Sequence, residues 1–274
     1  MMNSSISELE LIARKIRGEL VKISNKTHTA HLGSALSCVD ILVALYWGTL
    51  KTDSKDPLNI DRDRFLLSKG HAATTLYVTL NMRGFIPNET YESFGQPGCL
   101  LAEHPIYKPS IGIESTSGSL GHSLSLGLGM ALASKINKLS YRVFVLMSDG
   151  ECNEGSVWEA AMLAPAHKLE NLVAIVDFNR WQATGRSEEI TSLSSLKEKF
   201  QAFGWSSYEV NGHDIKAMNE LFSAIPDGSH KPVAIIANTI KGKGVSFMED
   251  DNNWHYRIPN NDHVTAALKE LHLL

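Results

Sequence analysis

The chain has 274 residues, 43% of them hydrophobic, which is enough for one large α/β domain with a substantial core. Its 26 Lys and Arg residues against 30 Asp and Glu, with no run of five basic residues, exclude a nucleic-acid footprint. Three cysteines without a CxxC pair argue against a zinc or redox motif. No signal peptide and no apolar run near the roughly 20 residues of a spanning helix is present, so we expect a soluble, cytoplasmic protein.

Helical and strand patterns alternate along the chain. Predicted helices cover Ser7 to about Ser24, Ser37–Gly48, a segment after residue 71, a small-residue segment through Gly127 and Gly129, Glu154–Lys168 and about Asp262–Leu271. Predicted strands lie near residue 64 and over 141–147, 172–176 and 233–237. Strands that are apolar on both faces and separated by helices indicate a parallel sheet with helices on both faces. We therefore predict an α/β fold, as a single domain over 1–274.

The irregular segments are the places to look for chemistry. They cover about 84–117, 178–190 and 240–260. Long loops in a compact α/β domain usually carry function, and ligands of such folds lie beyond the carboxyl ends of the strands.

A carboxylate and an amide follow two of the predicted strands. Asp149 and Gly150 end the strand over 141–147, and Asn179 follows the strand over 172–176. Asp-Gly alone would indicate a turn. Because neighbouring parallel strands would bring Asp149 and Asn179 to the same sheet edge, the pair favours a site of hard oxygen ligands suited to Mg²⁺.

This spacing resembles the thiamine diphosphate fingerprint, which runs from Gly-Asp-Gly to an Asn about thirty residues later. The resemblance implies thiamine diphosphate bound through Mg²⁺, with Asp149 and Asn179 as side-chain ligands and Trp181 as a backbone carbonyl ligand. Ser148 stands where the first Gly is usual, so it would face the diphosphate with its backbone.

Further blocks narrow the resemblance to transketolase, over about residues 10–260. They are Arg62–Ala72 with Ser-Lys-Gly-His, Gly112–Gly121, Asp149–Gly155, and Thr239–Val245 followed by Trp254-His255. The resemblance implies four active-site histidines, His31, His71, His104 and His255, and cofactor contacts from Gly118, Leu120, Ser148, Gly150, Glu154, Asn179 and Lys241. Imidazoles suit this chemistry because they bind hydroxyls and exchange protons near neutral pH.

Several positions leave alternatives open. Either Lys241 or Lys243 would approach the diphosphate or sugar, and both could be solvated instead. Glu154 would lie at a subunit interface, or serve only as a first-turn carboxylate of its helix. Ala30, Leu32 and Tyr256 depart from the transketolase pattern near the expected substrate channel. We expect only structural partners for the other histidines, His28, His122, His167, His213, His230, His263 and His272.

The resemblance covers only the first domain of a transketolase. It implies that the pyrimidine-binding and C-terminal domains lie on a partner chain, in an α2β2 assembly, and a naturally split enzyme is preferred to a shortened chain. The expected reaction transfers a two-carbon ketol unit from a ketose to an aldose. Alternatives are a subunit of a 2-oxoacid dehydrogenase or deoxyxylulose-phosphate synthase, a specialised two-carbon transferase, or a non-catalytic cofactor-binding subunit. A dinucleotide-binding domain is disfavoured because residues 127–132 lack the third glycine.

Overall fold

A five-stranded parallel sheet organises the molecule, whose computed structural model describes residues 5–274. The strands are β1 (Arg64–Leu67), β2 (Val143–Ser148), β3 (Leu172–Phe178), β4 (Ser206–Asn211) and β5 (Val233–Asn238). Their order across the sheet is β1-β2-β3-β5-β4, and all four neighbouring pairs are parallel. The predicted parallel α/β architecture is confirmed.

The three central strands are the ones that the apolar runs predicted. All six residues of β2 are buried, and in β3 and β5 only the last residue is partly exposed. Sequence reasoning missed β4 because this edge strand, Ser-Ser-Tyr-Glu-Val-Asn, is largely polar and buries only Ser207 among its six residues.

Eleven α-helices accompany the strands within residues 5–274. They are α1 (Ile6–Thr27), α2 (Leu32–Ser37), α3 (Val39–Val43), α4 (Ala73–Met82), α5 (Asn88–Glu92), α6 (Ser123–Ile136), α7 (Gly155–Ala166), α8 (Ser187–Ile190), α9 (Leu196–Ala202), α10 (Ile215–Ser223) and α11 (Asn261–Glu270). Short 3₁₀ turns cover Gly70–Ala72, Pro109–Ile111, Gly150–Asn153 and Asn252–His255. None of the helices in this part of the chain combines the length and the apolar character needed to cross a membrane.

Two helix predictions need correction. Helix α1 begins at Ile6 with Ser5 as its cap, rather than at Ser7, because Ser5 and Glu8 form a reciprocal capping box with N···O distances of 2.7 and 3.3 Å. The predicted helix over Ser37–Gly48 is instead three consecutive pieces, namely α2, α3 and a π-helical turn over Ala44–Thr49.

Two hydrophobic cores flank the sheet. Alternate residues of a strand face different cores, so that Phe144 and Leu146 join the helices α1 to α4, whereas Val143 and Val145 join α6, α7 and α9. Burying both faces of the central strands fixes their register, because a slip by one residue would exchange the two faces. The carboxyl ends of β2 and β3 are thereby held rigidly side by side.

Candidate active site

The predicted metal ligands lie at the same edge of the sheet. Ser148 and Asp177 are paired at the ends of β2 and β3, so Asp149 and Asn179 follow on neighbouring strands. Asp149 is fully buried and accepts hydrogen bonds from Ser187 Oγ at 2.8 Å and from the backbone of Gly150 at 2.9 Å. Asn179 is 4% exposed, and its Oδ1 accepts from the backbone N–H of Trp181 at 3.1 Å.

Asp149 is a buried carboxylate with no cationic partner in direct contact within residues 5–274. Burial raises the pKa of Asp149 to about 6, although the hydrogen bond from Ser187 opposes this shift. A buried charge of this kind is costly unless something neutralises it. Two oxygen donors and an uncompensated negative charge form the donor set that a hard divalent cation prefers.

Trp181 lies where a backbone ligand is expected. Its indole N–H donates to Asp250 Oδ1 at 2.7 Å, and Arg186 stacks on its ring with the guanidinium carbon 3.8 Å from the centroid. Arg186 in turn forms a bidentate ion pair with Asp250, with both N···O distances at 2.7 Å. The indole is thus occupied by Asp250 and Arg186, which leaves only the main chain of Trp181 for a metal.

Ser148 fits its position because it continues the extended strand β2. Its backbone N–H donates to Glu151 Oε2 at 3.3 Å, and Glu151 also accepts from the backbone of Gly121 at 2.8 Å and from the hydroxyl of Ser68. Burial raises the pKa of Glu151. This carboxylate, which sequence reasoning did not assign, connects three of the motif blocks.

The four predicted histidines converge although they come from four separate segments. The ring centroids of His31 and His255 are 4.9 Å apart, those of His31 and His71 5.5 Å, those of His71 and His255 5.9 Å, and those of His31 and His104 6.4 Å. Tyr256, 62% exposed, packs with its ring centroid 4.7 Å from that of His255. The arrangement is a cluster of imidazoles with an aromatic rim.

The cluster favours neutral imidazoles. Burial lowers the pKa of His255 to about 3, with the nearby Lys241 charge as a further cause. Burial also lowers the pKa of His31, and that of His71 well below its usual value, with Lys69 acting in the same direction on His71. Neutral rings can both donate and accept hydrogen bonds, as binding of sugar hydroxyls requires.

Of the two predicted lysines, Lys241 points into the cluster. It is fully buried, and its Nζ lies 2.6 Å from Asn252 Oδ1 and 2.9 Å from His255 Nδ1. Burial lowers the pKa of Lys241 to about 8. Lys243 instead forms an ion pair with Glu249 at 3.1 Å, with about a third of each side chain exposed.

The Gly112–Gly121 block, which precedes α6, lies beside the histidines. A Cβ built on Gly118 would lie 3.7 Å from His104, and one built on Gly70 would come within 2.9 Å of the backbone nitrogen of Gly118. The hydroxyls of Ser115 and Ser117 are buried without a hydrogen-bond partner in the protein. Such unsatisfied groups normally have a partner, so this segment is suited to a polar ligand.

The remaining predicted cofactor contacts lie on the margins of the site. Leu120 is half-buried, and Gly150 packs against Gln182, whose Nε2 is buried without a partner. Glu154 is exposed at the start of α7, and its side chain forms no capping hydrogen bond there. Its exposure is compatible with an interface position, while the contact itself stays a prediction.

A buried ion pair beneath the site escaped sequence reasoning. Lys69 and Asp177 are both fully buried and paired with each other. Asp177 also accepts from Ser37 Oγ at 2.5 Å and from the hydroxyl of Thr239, and Lys69 donates to the backbone oxygen of Ser34 at 2.9 Å. The only signal was Lys69 within the Ser-Lys-Gly-His block, because nothing local to Asp177 identifies its partner.

Comparison with known proteins identifies the family of the chain. The family described as transketolase, thiamine diphosphate binding domain, matches residues 9–272. The chain is 43% identical over 266 residues to one subunit of the apulose-4-phosphate transketolase of Phocaeicola vulgatus, covering 97% of this chain and 94% of that protein. It is 36% identical to a 6-deoxy-6-sulfo-D-fructose transketolase subunit of a Clostridium species, covering 98% of each.

Solved structures give the same result. The transketolase of Campylobacter jejuni superposes with a TM-score of 0.88 at 28% identity, covering 98% of this chain and 43% of that chain. The chain therefore spans less than half the length of that solved transketolase. It belongs to the transketolase family, in the part of that family that binds thiamine diphosphate. The predicted family and fold are confirmed.

Proposed function

We propose that this chain is the diphosphate-binding subunit of a thiamine diphosphate-dependent transketolase that moves a two-carbon ketol unit from a ketose to an aldose. The observation that carries the proposal is the convergence of His31, His71, His104 and His255 from four segments of the chain. A subunit that only bound the cofactor would need no such cluster. The family match favours this function over that of a 2-oxoacid dehydrogenase or a deoxyxylulose-phosphate synthase.

Mg²⁺ would be held by the Asp149 carboxylate, the Asn179 amide oxygen and the backbone carbonyl of Trp181. The buried, unneutralised carboxylate of Asp149 supports this assignment. The diphosphate would lie along the backbones of Ser148 and Gly150. Gly118, Leu120 and Lys241 complete the proposed contacts with the cofactor, and the buried hydroxyl of Ser117 offers a further polar partner there.

The cofactor, when bound, supplies the electron sink that stabilises a carbanion. The histidines would orient the sugar hydroxyls and move protons. His255 is suited to donating a hydrogen bond from Nε2 to a sugar hydroxyl, because its Nδ1 accepts from the Lys241 ammonium at 2.9 Å. His31 and His71 would position hydroxyls of the ketose, with His104 closing the side next to Gly118.

The active site would be complete only with a partner subunit that contributes the pyrimidine-binding domain, in an α2β2 assembly. Two relatives of matching length are named as single subunits of apulose-4-phosphate transketolases, which implies a further subunit in those enzymes. On α6 and α7, Leu126, Met162 and Leu163 are each about half exposed, at 47%, 55% and 46%. Exposed apolar residues on adjacent helices support a contact surface there, and Glu154 at the start of α7 would join it.

The substrates would be sugars with an anionic end. The names of the relatives refer to apulose 4-phosphate and to 6-deoxy-6-sulfo-D-fructose, a phosphate and a sulfonate. We further propose that residues 1–274 are a single cofactor-binding domain acting in carbohydrate metabolism in the cytoplasm. Its three cysteines are unpaired thiols, as is usual in a reducing compartment.

The test is calorimetric titration of thiamine diphosphate, with and without Mg²⁺, into the chain alone and into a mixture with a candidate partner chain from a neighbouring gene. We expect Mg²⁺-dependent binding in the mixture, and ketol transfer by the same mixture. Asp149→Ala should abolish the Mg²⁺ dependence. Asp61→Ala, which alters a carboxylate that accepts from the backbone and hydroxyl of Ser140, is the matched control.

Two results would contradict the proposal. Mg²⁺-dependent binding that survives in Asp149→Ala would mean that the metal is held elsewhere. Binding without ketol transfer, in a mixture that forms a stable complex, would favour a cofactor-binding role instead.

A further inference from the structure

The loop that carries Lys241 is held from outside at two points. The backbone N–H of Ile240 donates to Nε2 of His213 at 2.9 Å, and the backbone oxygen of Lys243 accepts from Arg17 Nε at 2.9 Å. These two contacts lie on either side of Lys241 in the chain. They connect the loop to α1 and to the turn before α10.

Both anchors meet at one carboxylate. Arg17 donates to the two oxygens of Asp40 at 3.0 and 2.6 Å, and His213 Nδ1 lies 2.7 Å from Asp40 Oδ2. The three side chains are 7–12% exposed. We call Arg17, Asp40 and His213 the Asp40 network. Burial alone would raise the pKa of Asp40, but the Arg17 guanidinium and the His213 hydrogen bond hold it below its usual value.

The contacts select one protonation state of His213. Nε2 accepts the Ile240 N–H, so it carries no proton, and the single ring proton lies on Nδ1, directed at Asp40. A protonated ring would place an N–H against the Ile240 N–H. The other charged groups near the ring are Arg17 on α1 and Glu249, which is paired with Lys243. Only the neutral ring completes the network.

We propose that His213, oriented by Asp40 and Arg17, is a positioning residue for Lys241 and, through it, for His255. The Lys241 amine meets Asn252 and His255 at 2.6 and 2.9 Å, so a shift of the Ile240 backbone would change both contacts. The role of Lys241 in catalysis rests on the proposed function, whereas the positioning of the loop does not. His213 touches neither the proposed metal ligands nor the histidine cluster directly.

The first test uses the full chain without partner or cofactor. In ¹⁵N-histidine spectra we expect His213 to carry its proton on Nδ1. Hydrogen exchange of peptides over 239–244 should accelerate about tenfold in His213→Leu, since one hydrogen bond is lost, and peptides over 143–148 should not change. His213→Gln keeps an acceptor for Ile240 and a donor for Asp40, so it should restore slow exchange.

The matched control is His230, whose Nδ1 also meets a carboxylate, that of Glu170, at 2.7 Å, but whose side chain is 76% exposed. His230→Leu should leave exchange over 239–244 unchanged. A His213 proton on Nε2, or wild-type exchange over 239–244 in His213→Leu, would overturn the proposal.

The second test uses the assembled enzyme. We expect His213→Leu to lower kcat and to raise the KM for thiamine diphosphate about tenfold, with His213→Gln recovering most of both. If His213→Leu accelerated hydrogen exchange over 239–244 but left kcat and KM unchanged, His213 would not position Lys241 for catalysis. If the assembled wild-type enzyme catalysed no ketol transfer, the proposed function would be wrong. The ¹⁵N-histidine and hydrogen-exchange results on the full chain would still test the positioning of the loop.

Discussion

His31 and His255 form one unit. Their rings are perpendicular with centroids 4.9 Å apart, and the backbone N–H of His31 donates to the backbone oxygen of His255 at 2.6 Å. His31 adopts a left-handed conformation with φ of 68°, which a non-glycine residue rarely adopts unless its surroundings require it. The backbone hydrogen bond therefore holds the two residues side by side, with their rings in contact.

The coupling of these two residues can be measured as a double-mutant cycle in the assembled enzyme. His31→Asn and His255→Asn should each lower kcat by about 10²-fold, the lower end of the range for a residue that transfers protons. The double variant should lose much less than the product of the two effects, because residues in contact act together. Steady-state kinetics measures all four enzymes. Losses that multiply would show that the histidines act independently.

The buried pair of Lys69 and Asp177 gives a prediction about stability. Lys69→Met leaves the Asp177 carboxylate buried with only hydroxyl donors, so we expect the free energy of unfolding to fall by about 3–5 kcal/mol. The double variant Lys69→Met and Asp177→Asn should recover a large part of this loss, because no charge remains buried. Urea unfolding of the full chain measures both. A single variant as stable as the wild type would contradict a structural role for the pair.

Gly70 tests the close approach of two motif blocks. A Cβ at this position would lie 2.8 Å from Ser117 Oγ and 2.9 Å from the backbone nitrogen of Gly118, and backbone atoms cannot move away cheaply. Gly70→Ala should cost about 1–3 kcal/mol of stability and should weaken thiamine diphosphate binding in the assembled enzyme.

The matched control for Gly70 is Gly155→Ala at the start of α7, where an added Cβ meets nothing within 4 Å. Its effect on the unfolding free energy should be neutral or stabilising by up to about 1 kcal/mol. Equal effects of the two substitutions in urea unfolding would argue against the packing of Gly70 on Gly118.

Sequence reasoning found those parts of the protein that depend on local pattern and chain order. The apolar runs of β2, β3 and β5 identified the sheet, and strand ends then placed Asp149 and Asn179 at one edge. It did not find β4, whose polar edge position hides the strand pattern. The pairing of Lys69 with Asp177 was also missed, because the partners are far apart in sequence and nothing local to Asp177 identifies its partner.

The histidines show the same limit. His213 was expected to have only structural partners, and the structure places it against Asp40 and the backbone of Ile240. Its connection to Lys241 arises because β4 and β5 end side by side, with Asn211 paired to Asn238. Since β4 was not predicted, the sequence could not bring His213 next to the loop after β5.

Lys241 gives a prediction about pH. Burial lowers its pKa from an ordinary 10.5 to about 8 in the folded chain. Between pH 8 and 10.5 the unfolded chain therefore binds the proton that the folded chain releases, so stability rises with pH across this window. Below pH 8 the buried ammonium carries its full cost. Above pH 10.5 both states are neutral and the cost has disappeared.

Lys241→Met isolates this effect, because all other titrating groups are shared. The quantity to compare is the free energy of unfolding of the variant minus that of the wild type. This difference should be larger at about pH 7.5 than at about pH 10, by about 2–3 kcal/mol. Urea unfolding of both chains at the two pH values, without cofactor, measures it. Lys269→Met, at an exposed position in the last turn of α11, should show no such pH dependence. An identical pH profile for Lys241→Met and wild type would mean that the Lys241 amine is hydrated in the folded chain, and that its contacts with Asn252 and His255 do not hold a desolvated charge.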